Sequence, residues 1–296
     1  MGTPFEAVAC GKWILAGEHA VLRGSPALVF PLKTRSLRLR YAPGPHALKV
    51  HLSGDNGREL EPLFWAVLER ACDLLKTPRA MLNGTIEIES SIPIGAGLGA
   101  SAAFCVAMTR WFREIGLLRS ADLYEFARTL ENLFHGESSG VDIAVALSGE
   151  GLHFERGGPR FSVAPRWQPR WYISYTGRRG VTSEAVQKVK KLIEADPEKG
   201  RLLDEQMRSA AEDCERALSL EEGQGWPLLV SSVRRAAECF QSWGLCEGEV
   251  GEHLQSLARA GAVAVKPTGS GGGGYALSLW KDEPPAEWRE RLISCN

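Results

Sequence analysis

The residues best suited to chemistry lie in a glycine loop at residues 93–103, which reads PIGAGLGASAA. The loop follows a strand-like stretch, Thr85–Glu89, and opens into an apolar helical run that begins near Ser101. Backbone N–H groups at a helix N-terminus attract anions, and glycines let a polyphosphate approach the main chain. Ser101 adds a hydroxyl for an anion or a metal ion. We therefore expect this segment to bind phosphate.

The sequence of the loop and of the strand before it argues against two common kinds of nucleotide-binding loop. A P-loop needs Gly-x-x-x-x-Gly-Lys-Ser/Thr, and no such string occurs in the chain. The GAGLGA stretch at 95–100 fits a loose dinucleotide fingerprint. The preceding strand, however, alternates isoleucine with glutamate, whereas the first strand of a dinucleotide-binding fold is apolar throughout. Two alternatives to a phosphate-binding loop of another kind stay open: the dinucleotide-binding loop of an NAD-dependent oxidoreductase, and a plain turn between a strand and a helix.

Length and composition describe a globular chain without a strong charge bias. Its 296 residues suffice for two domains, and 44% of them are hydrophobic. The formal net charge of −1 gives no case for binding nucleic acid or a membrane. Seven dispersed cysteines without CxxC spacing indicate free thiols in a reducing compartment. With no signal-peptide pattern and no long apolar run, we expect a cytoplasmic protein.

The elements that must position the loop change in type along the first half of the chain. The patterns predict strands and helices, with strands at 7–16, 37–41, 48–52 and 85–89 and helices at 62–75, 101–115 and 121–134. The helix at 101–115 is apolar nearly all round, which indicates a buried central helix. A hairpin is expected around 151–163.

A segment with two prolines, residues 164–170, is the candidate domain boundary, which gives domains at 1–165 and 166–296. Beyond it, several helices are expected between residues 183 and 260. Strands are expected at 171–175, 262–266 and 275–280. This order of strands and helices predicts an α+β domain.

Two further segments share the glycine-rich character of the loop. Residues 11–27 read GKWILAGEHAVLRGSPA, and residues 266–274 read KPTGSGGGG. With the loop at 93–103 between them, they resemble, in order, the three signature motifs of the GHMP kinases. That family includes galactokinases, homoserine kinases and mevalonate kinases, and the resemblance spans nearly the whole chain.

Within this family the closest resemblance is to the mevalonate kinases. It rests on GEHAV at 17–21, on ENLFHGESSGVD at 131–142, and on Thr176-Gly177 followed by TSEAV at 182–186. Two positions depart from the family pattern. Ser138 stands where a proline is usual, and Ala100 stands where Gly-Leu-Gly-Ser-Ser has its first serine. Ala100 keeps its backbone N–H for a phosphate.

The resemblance implies that Asp142 and Lys12 are the catalytic pair. Asp142 precedes an apolar run and should lie in the first turn of a helix, where the dipole favours a carboxylate. There it can accept or orient the proton of an acceptor hydroxyl, or it simply caps the helix. Lys12 lies in an otherwise apolar strand and needs a carboxylate or a ligand, unless its head group reaches solvent. The resemblance makes Asp142 its partner.

The resemblance also assigns nucleotide, metal and acceptor positions. ATP is expected at Pro93, Gly95, Ala96, Gly97, Leu98, Gly99, Ala100 and Ser101. Mg²⁺ is expected at Ser101 and Glu131, whose alternative is an ordinary exposed helix glutamate. The acceptor is expected at Glu18, His19, Thr182, Gly269, Ser270 and Gly271. His135 is expected to order the turn before Asp142.

Together these expectations describe a two-domain α+β kinase with its site in the cleft between domains. The resemblance implies a ribosomal S5 domain 2-like amino-terminal domain and a ferredoxin-like carboxyl-terminal domain. The expected reaction moves the γ-phosphoryl group of ATP to a small carboxylate-bearing alcohol, mevalonate first. Phosphomevalonate, homoserine and sugars are alternatives, and Arg178 with Arg179 could serve a phosphorylated acceptor. A catalytically silent metabolite-binding protein is another alternative. The oligomeric state stays open, with a homodimer as one option.

Overall fold

The computed structural model describes residues 3–54, 57–135 and 138–296, and within residues 57–135 it leaves out the side chains of Arg58 and His135. The chain divides into two compact units, each discontinuous in sequence. The first comprises Met1–Gly11, Arg35–Ile94 and Gly99–Gly149, and the second comprises Lys12–Thr34, Gly95–Leu98 and Glu150–Asn296. A domain boundary between residues 165 and 166 stays a prediction.

The amino-terminal half of the chain begins with strands and ends with helices. In chain order the elements are β1 (Phe5–Ala16), β2 (Ala27–Ala47), β3 (Lys49–Ser53), α1 (Gly57–Leu75), β4 (Asn83–Ser90), α2 (Ala100–Glu114), α3 (Leu123–His135) and α4 (Val141–Ser148). Two of the unit boundaries, after Gly11 and after Thr34, fall inside β1 and β2. In the first unit, β4 pairs antiparallel with β2 and parallel with β3.

Burial in the first unit follows the sequence pattern. In β4, Ile86 and Ile88 are fully buried while Glu87 and Glu89 are exposed, as their alternation predicts. Helix α2 is buried along nearly its whole length, which confirms the predicted central helix. The sequence pattern predicted only residues 37–41 of β2, and Pro31 interrupts the apolar run that forms the earlier part of this strand.

The second unit contains the remaining elements. They are β5 (Leu152–Phe154), β6 (Arg160–Ser162), β7 (Arg170–Tyr175), α5 (Thr182–Ala195), α6 (Pro197–Ser219), α7 (Glu222–Ser242), α8 (Glu249–Arg259), β8 (Ala264–Thr268), β9 (Tyr275–Trp280), α9 (Ala286–Arg289) and β10 (Ile293–Ser294). Strands β10, β7, β9 and β8 form an antiparallel sheet in that order. The expected hairpin near 151–163 is present as β5 and β6. Among the described residues, no helix is long and apolar enough to cross a membrane.

Candidate active site

The glycine loop opens into helix α2 as the sequence predicts. Gly99 is the N-cap of α2 with φ of 76°, a left-handed conformation that suits glycine. The first bond that closes a helical turn runs from the N–H of Ala103 to the carbonyl of Gly99, at 2.9 Å. The N–H groups of the three residues before Ala103 have no acceptor within the helix. The loop therefore ends in a set of backbone donors at the positive end of a helix dipole.

The three glycine-rich segments meet within the second unit. The Lys12 N–H donates to the carbonyl of Leu98 at 2.9 Å, which joins the first segment to the loop. A Cβ placed on Gly269 would lie 3.3 Å from the carbonyl oxygen of Gly97 and 3.8 Å from Lys12 Nζ. Lys12 and Leu98 are 86 positions apart in sequence (98 − 12), and Gly97 and Gly269 are 172 apart (269 − 97), so distant parts of the chain converge at Lys12.

Lys12 is buried, with 4% of its surface exposed. The alternative of a lysine whose ammonium reaches solvent is therefore wrong. A buried ammonium requires an anionic or polar partner. Lys12 belongs to the second unit and Asp142 to the first, so the pairing of these two residues stays a prediction.

Glu18 forms a buried ion pair that the sequence pattern did not predict. Lys266 Nζ donates to Glu18 Oε1 at 2.5 Å and to the carbonyl of Ile14 at 3.3 Å. The two charged side chains are 0% and 2% exposed. Burial raises the pKa of Glu18, and the Lys266 ammonium opposes that rise. Among the described residues, Glu18 Oε2 has no hydrogen-bond partner.

His19 is held in an unusual backbone conformation. Its φ is 60° and its ψ is −48°, a strained region for a residue with a side chain. His19 Nε2 lies 2.8 Å from the carbonyl oxygen of Ser270 and must carry the proton, because a carbonyl only accepts. The ring packs edge-on against Phe240 and Trp243. Burial lowers the pKa of His19 to about 4, so the imidazole is neutral at neutral pH.

Ser270 connects His19 to a third predicted acceptor residue. Its hydroxyl donates to Thr182 Oγ1 at 3.4 Å, and Thr182 is the first residue of α5. The second unit thus brings together His19, Ser270 and Thr182, which the resemblance assigned separately to the acceptor. Their hydroxyl and imidazole groups are the kind that hydrogen-bond a small polar molecule.

Arg179 lies beside the glycine loop. A Cβ placed on Gly95 would be 3.7 Å from Arg179 Nε. The Arg179 side chain is exposed. From the sequence, Arg179 is expected only at a phosphorylated acceptor, whereas in the structure it lies next to Gly95 of the expected phosphate-binding loop. A guanidinium at that position suits phosphate oxygens.

Glu131 is buried in the first unit, at 1% exposure, so the alternative of an ordinary exposed helix glutamate is wrong. The Ser138 hydroxyl donates to Glu131 Oε2. Burial, and to a lesser extent the charge of Glu131, raises the pKa of the Cys105 thiol well above its usual value. Cys105 is one turn beyond Ser101 on the same face of α2. Helix α3, which carries Glu131, packs against α2, which carries Ser101.

Asp142 lies in the first turn of α4, as expected, and is half-buried. The N-cap of that helix is Gly140, so Asp142 is not the capping residue. Gly136, Glu137 and the side chain of His135 lie outside the described residues. The prediction that His135 orders this turn therefore stays a prediction.

The donor set at Ser101 and Glu131 fits a magnesium ion. Both side chains offer oxygen, which Mg²⁺ prefers, and both belong to packed helices of the first unit. In the chain as far as it is described, no group of three or more His, Cys, Asp and Glu side chains could hold a metal. Mg²⁺ is commonly held by one or two protein oxygens together with substrate phosphates and waters, rather than by a protein cage.

Comparison with known proteins decides the family. Residues 63–150 match the family model described as "GHMP kinases N terminal domain". The mevalonate kinase of Thermococcus gammatolerans is 30% identical over 308 aligned positions, which cover 95% of this chain and 91% of that protein. The mevalonate kinase of Archaeoglobus fulgidus is 31% identical over 290 positions, covering 94% and 93%. The chain belongs to the GHMP kinase superfamily.

The fold of this GHMP kinase agrees with the assignment. A crystal structure of L. major mevalonate kinase in complex with R-mevalonate matches with a TM-score of 0.79 at 22% identity, covering 98% of this chain and 92% of that one. The predicted α+β, two-domain GHMP kinase fold is confirmed. Membership makes the protein a phosphotransferase with an alcohol group as acceptor. It also removes the oxidoreductase alternative for the glycine loop.

Proposed function

We propose that this GHMP kinase transfers the γ-phosphoryl group of ATP to the hydroxyl of mevalonate. The observation that carries the proposal is its likeness, over more than nine-tenths of the chain, to proteins named mevalonate kinase. The convergence of the three glycine-rich segments on Lys12 adds a structural reason, because it assembles phosphate-binding backbone around a buried cation.

The glycine loop and the first turn of α2 bind the phosphates of ATP. Their backbone N–H groups supply donors that need no side-chain ordering, and the helix dipole adds to the attraction for the anion. Arg179 adds a cation beside Gly95. Ser101 and Glu131 would hold Mg²⁺, and the ion would supply positive charge to offset the charge of the phosphates.

The acceptor binds at His19, Ser270 and Thr182. The neutral His19 ring uses Nε2–H on the Ser270 carbonyl, which leaves Nδ1 to accept a hydrogen bond from a hydroxyl of the acceptor. Glu18 is already engaged by Lys266, so its contribution is to hold the GEHAV segment in place. Gly269 and Gly271 let the backbone of the third segment approach the acceptor.

Asp142 and Lys12 act on the reacting hydroxyl. The acceptor oxygen forms a bond to the γ-phosphorus as the bond from phosphorus to the β–γ bridging oxygen breaks, and ADP leaves. Asp142 orients the hydroxyl and receives its proton. The Lys12 ammonium stabilises the negative charge that builds on the transferred group.

A coupled assay of ADP release tests the proposal. The purified protein is offered mevalonate, phosphomevalonate, homoserine or galactose, with ATP and Mg²⁺. Mevalonate should release ADP well above the acceptor-free rate. Asp142→Asn protein, prepared identically, controls for contaminating kinases. Release with another acceptor only would refute the mevalonate assignment and leave the family assignment standing, whereas release with none would favour a silent metabolite-binding protein.

A further inference from the structure

Ser138 makes a set of contacts that the phosphoryl-transfer roles do not use. It is buried, and its hydroxyl both donates to Glu131 Oε2 and accepts from the N–H of Gly140 at 3.0 Å. Its own N–H donates to Asn132 Oδ1 at 2.8 Å. A serine hydroxyl has one proton to donate and lone pairs to accept, so both of its contacts are satisfied by this arrangement. Ser138 is thereby fixed to the end of α3 and to the start of α4.

The Ser138 hydroxyl joins the proposed Mg²⁺ ligand to the start of the helix that carries Asp142, the proposed catalytic base. Glu131 is the proposed ligand of Mg²⁺, and Gly140 is the N-cap of the helix whose first turn holds Asp142. The position of Gly140 is itself tightly defined. Its φ is 84°, a left-handed conformation that favours glycine, and a Cβ on it would lie 2.0 Å from the Tyr124 hydroxyl oxygen, so a larger residue would be strained and would displace the Tyr124 side chain. The hydroxyl therefore connects Glu131 to the N-cap of α4.

A hydrogen bond to one carboxylate oxygen limits the rotation of that carboxylate. Oε2 of Glu131 accepts a hydrogen bond from the Ser138 hydroxyl, and this bond fixes the direction in which the remaining lone pairs of the carboxylate point. Groups that hydrogen-bond to metal ligands in this way typically change metal affinity 10- to 100-fold when they are removed. A carboxylate without such a bond spends part of its time in orientations that cannot bind the ion.

We propose that Ser138 is a positioning residue that holds the Glu131 carboxylate in its Mg²⁺-binding orientation. The inference rests on the proposed function, because it assumes that Glu131 binds the metal. It concerns this chain in particular, since the family pattern has a proline at this position, and proline has neither a hydroxyl nor an N–H.

Mn²⁺ affinity, measured by electron paramagnetic resonance with a non-hydrolysable ATP analogue, tests the inference without turnover. Ser138→Ala should weaken Mn²⁺ binding roughly 10-fold, while affinity for the analogue without metal is unchanged. Ser138→Thr keeps the hydroxyl and should restore most of the affinity. Thr129→Ala is the matched control, because that hydroxyl donates only to the carbonyl of Glu125, within α3. It should bind Mn²⁺ like the unmodified protein.

Glu131→Gln separates failure of the inference from failure of the proposed function. If Glu131→Gln weakens Mn²⁺ binding and Ser138→Ala does not, the inference is wrong and the metal role of Glu131 stands. If neither variant changes the affinity, the metal role itself is wrong and the inference falls with it. The double variant Ser138→Ala/Glu131→Gln should bind no more weakly than Glu131→Gln alone, since Ser138 acts through Glu131. Independent losses that multiply would overturn the inference even if Ser138→Ala lowers the stability of the protein.

Discussion

At the scale of single residues, Asp142 and Lys12 carry the proposed chemistry. Asp142→Asn keeps the shape of the side chain but removes its charge, so kcat should fall roughly 100-fold or more. Affinity for ATP should hardly move, because the nucleotide is held by the glycine loop. Steady-state kinetics with varied ATP measure both quantities. A near-normal kcat would remove Asp142 from the reaction.

Lys12→Met should lower kcat in the same way, and the two variants together test whether the residues serve one transition state. If they do, the double variant loses far less activity than the product of the two single losses. The losses are compared as ratios of kcat under saturating substrates. Multiplicative losses would mean that the two residues act independently.

His19 gives a prediction for the dependence of stability on pH. Its pKa in the folded protein is about 4, below its ordinary value of 6.5, so between these values the unfolded chain binds a proton that the folded chain excludes. Acidification from pH 7 to pH 5 should therefore cost roughly 2 kcal/mol of folding free energy through this residue. Urea unfolding at both pH values should show that loss in the unmodified protein and a smaller one in His19→Gln. Equal losses would contradict the buried neutral imidazole.

At the scale of elements, local sequence patterns predicted the strands and helices whose form depends on which of their faces is buried. The Ile-Glu alternation of β4 and the apolar surface of α2 follow from which face is buried, and both were predicted correctly. The ion pair between Glu18 and Lys266 joins residues 248 apart, and no local pattern encodes that separation. A lysine in an apolar strand needs a buried partner, and this holds for Lys266 as it does for Lys12.

The Glu18–Lys266 pair joins β8 to the GEHAV segment, and breaking it should be costly. Lys266→Met leaves a buried carboxylate without its cation, which should reduce the free energy of unfolding by about 3–5 kcal/mol. The control is Lys190→Met on α5, whose partner Glu194 is 63% exposed and 3.8 Å away, and which should cost less than about 0.5 kcal/mol. Denaturant unfolding measures both variants.

Removing both charges of the Glu18–Lys266 pair should reduce the free energy of unfolding less than removing Lys266 alone. Lys266→Met combined with Glu18→Gln leaves no buried charge, so part of the lost stability should return. If the double variant loses as much unfolding free energy as the two single variants lose together, the two charges are not coupled as the structure shows.

At the scale of the whole molecule, three dispersed motifs predicted the family because phosphate binding places strong demands on backbone shape. The residues predicted to bind the acceptor come from segments far apart in sequence, and the structure brings three of them together, at His19, Ser270 and Thr182. The sequence could not reveal that Arg179 lies beside Gly95 or that Ser138 contacts Glu131, because both contacts depend on how loops fold onto distant elements.

The central claim is that the protein moves the γ-phosphoryl group of ATP onto mevalonate. Phosphorus-31 NMR of the purified protein with ATP, Mg²⁺ and mevalonate observes that transfer directly. The account predicts a new phosphomonoester resonance that grows in equal amount with ADP and is absent when Asp142→Asn replaces the unmodified protein. ATP that persists unchanged, or ADP that forms with inorganic phosphate and no phosphomonoester, would contradict it.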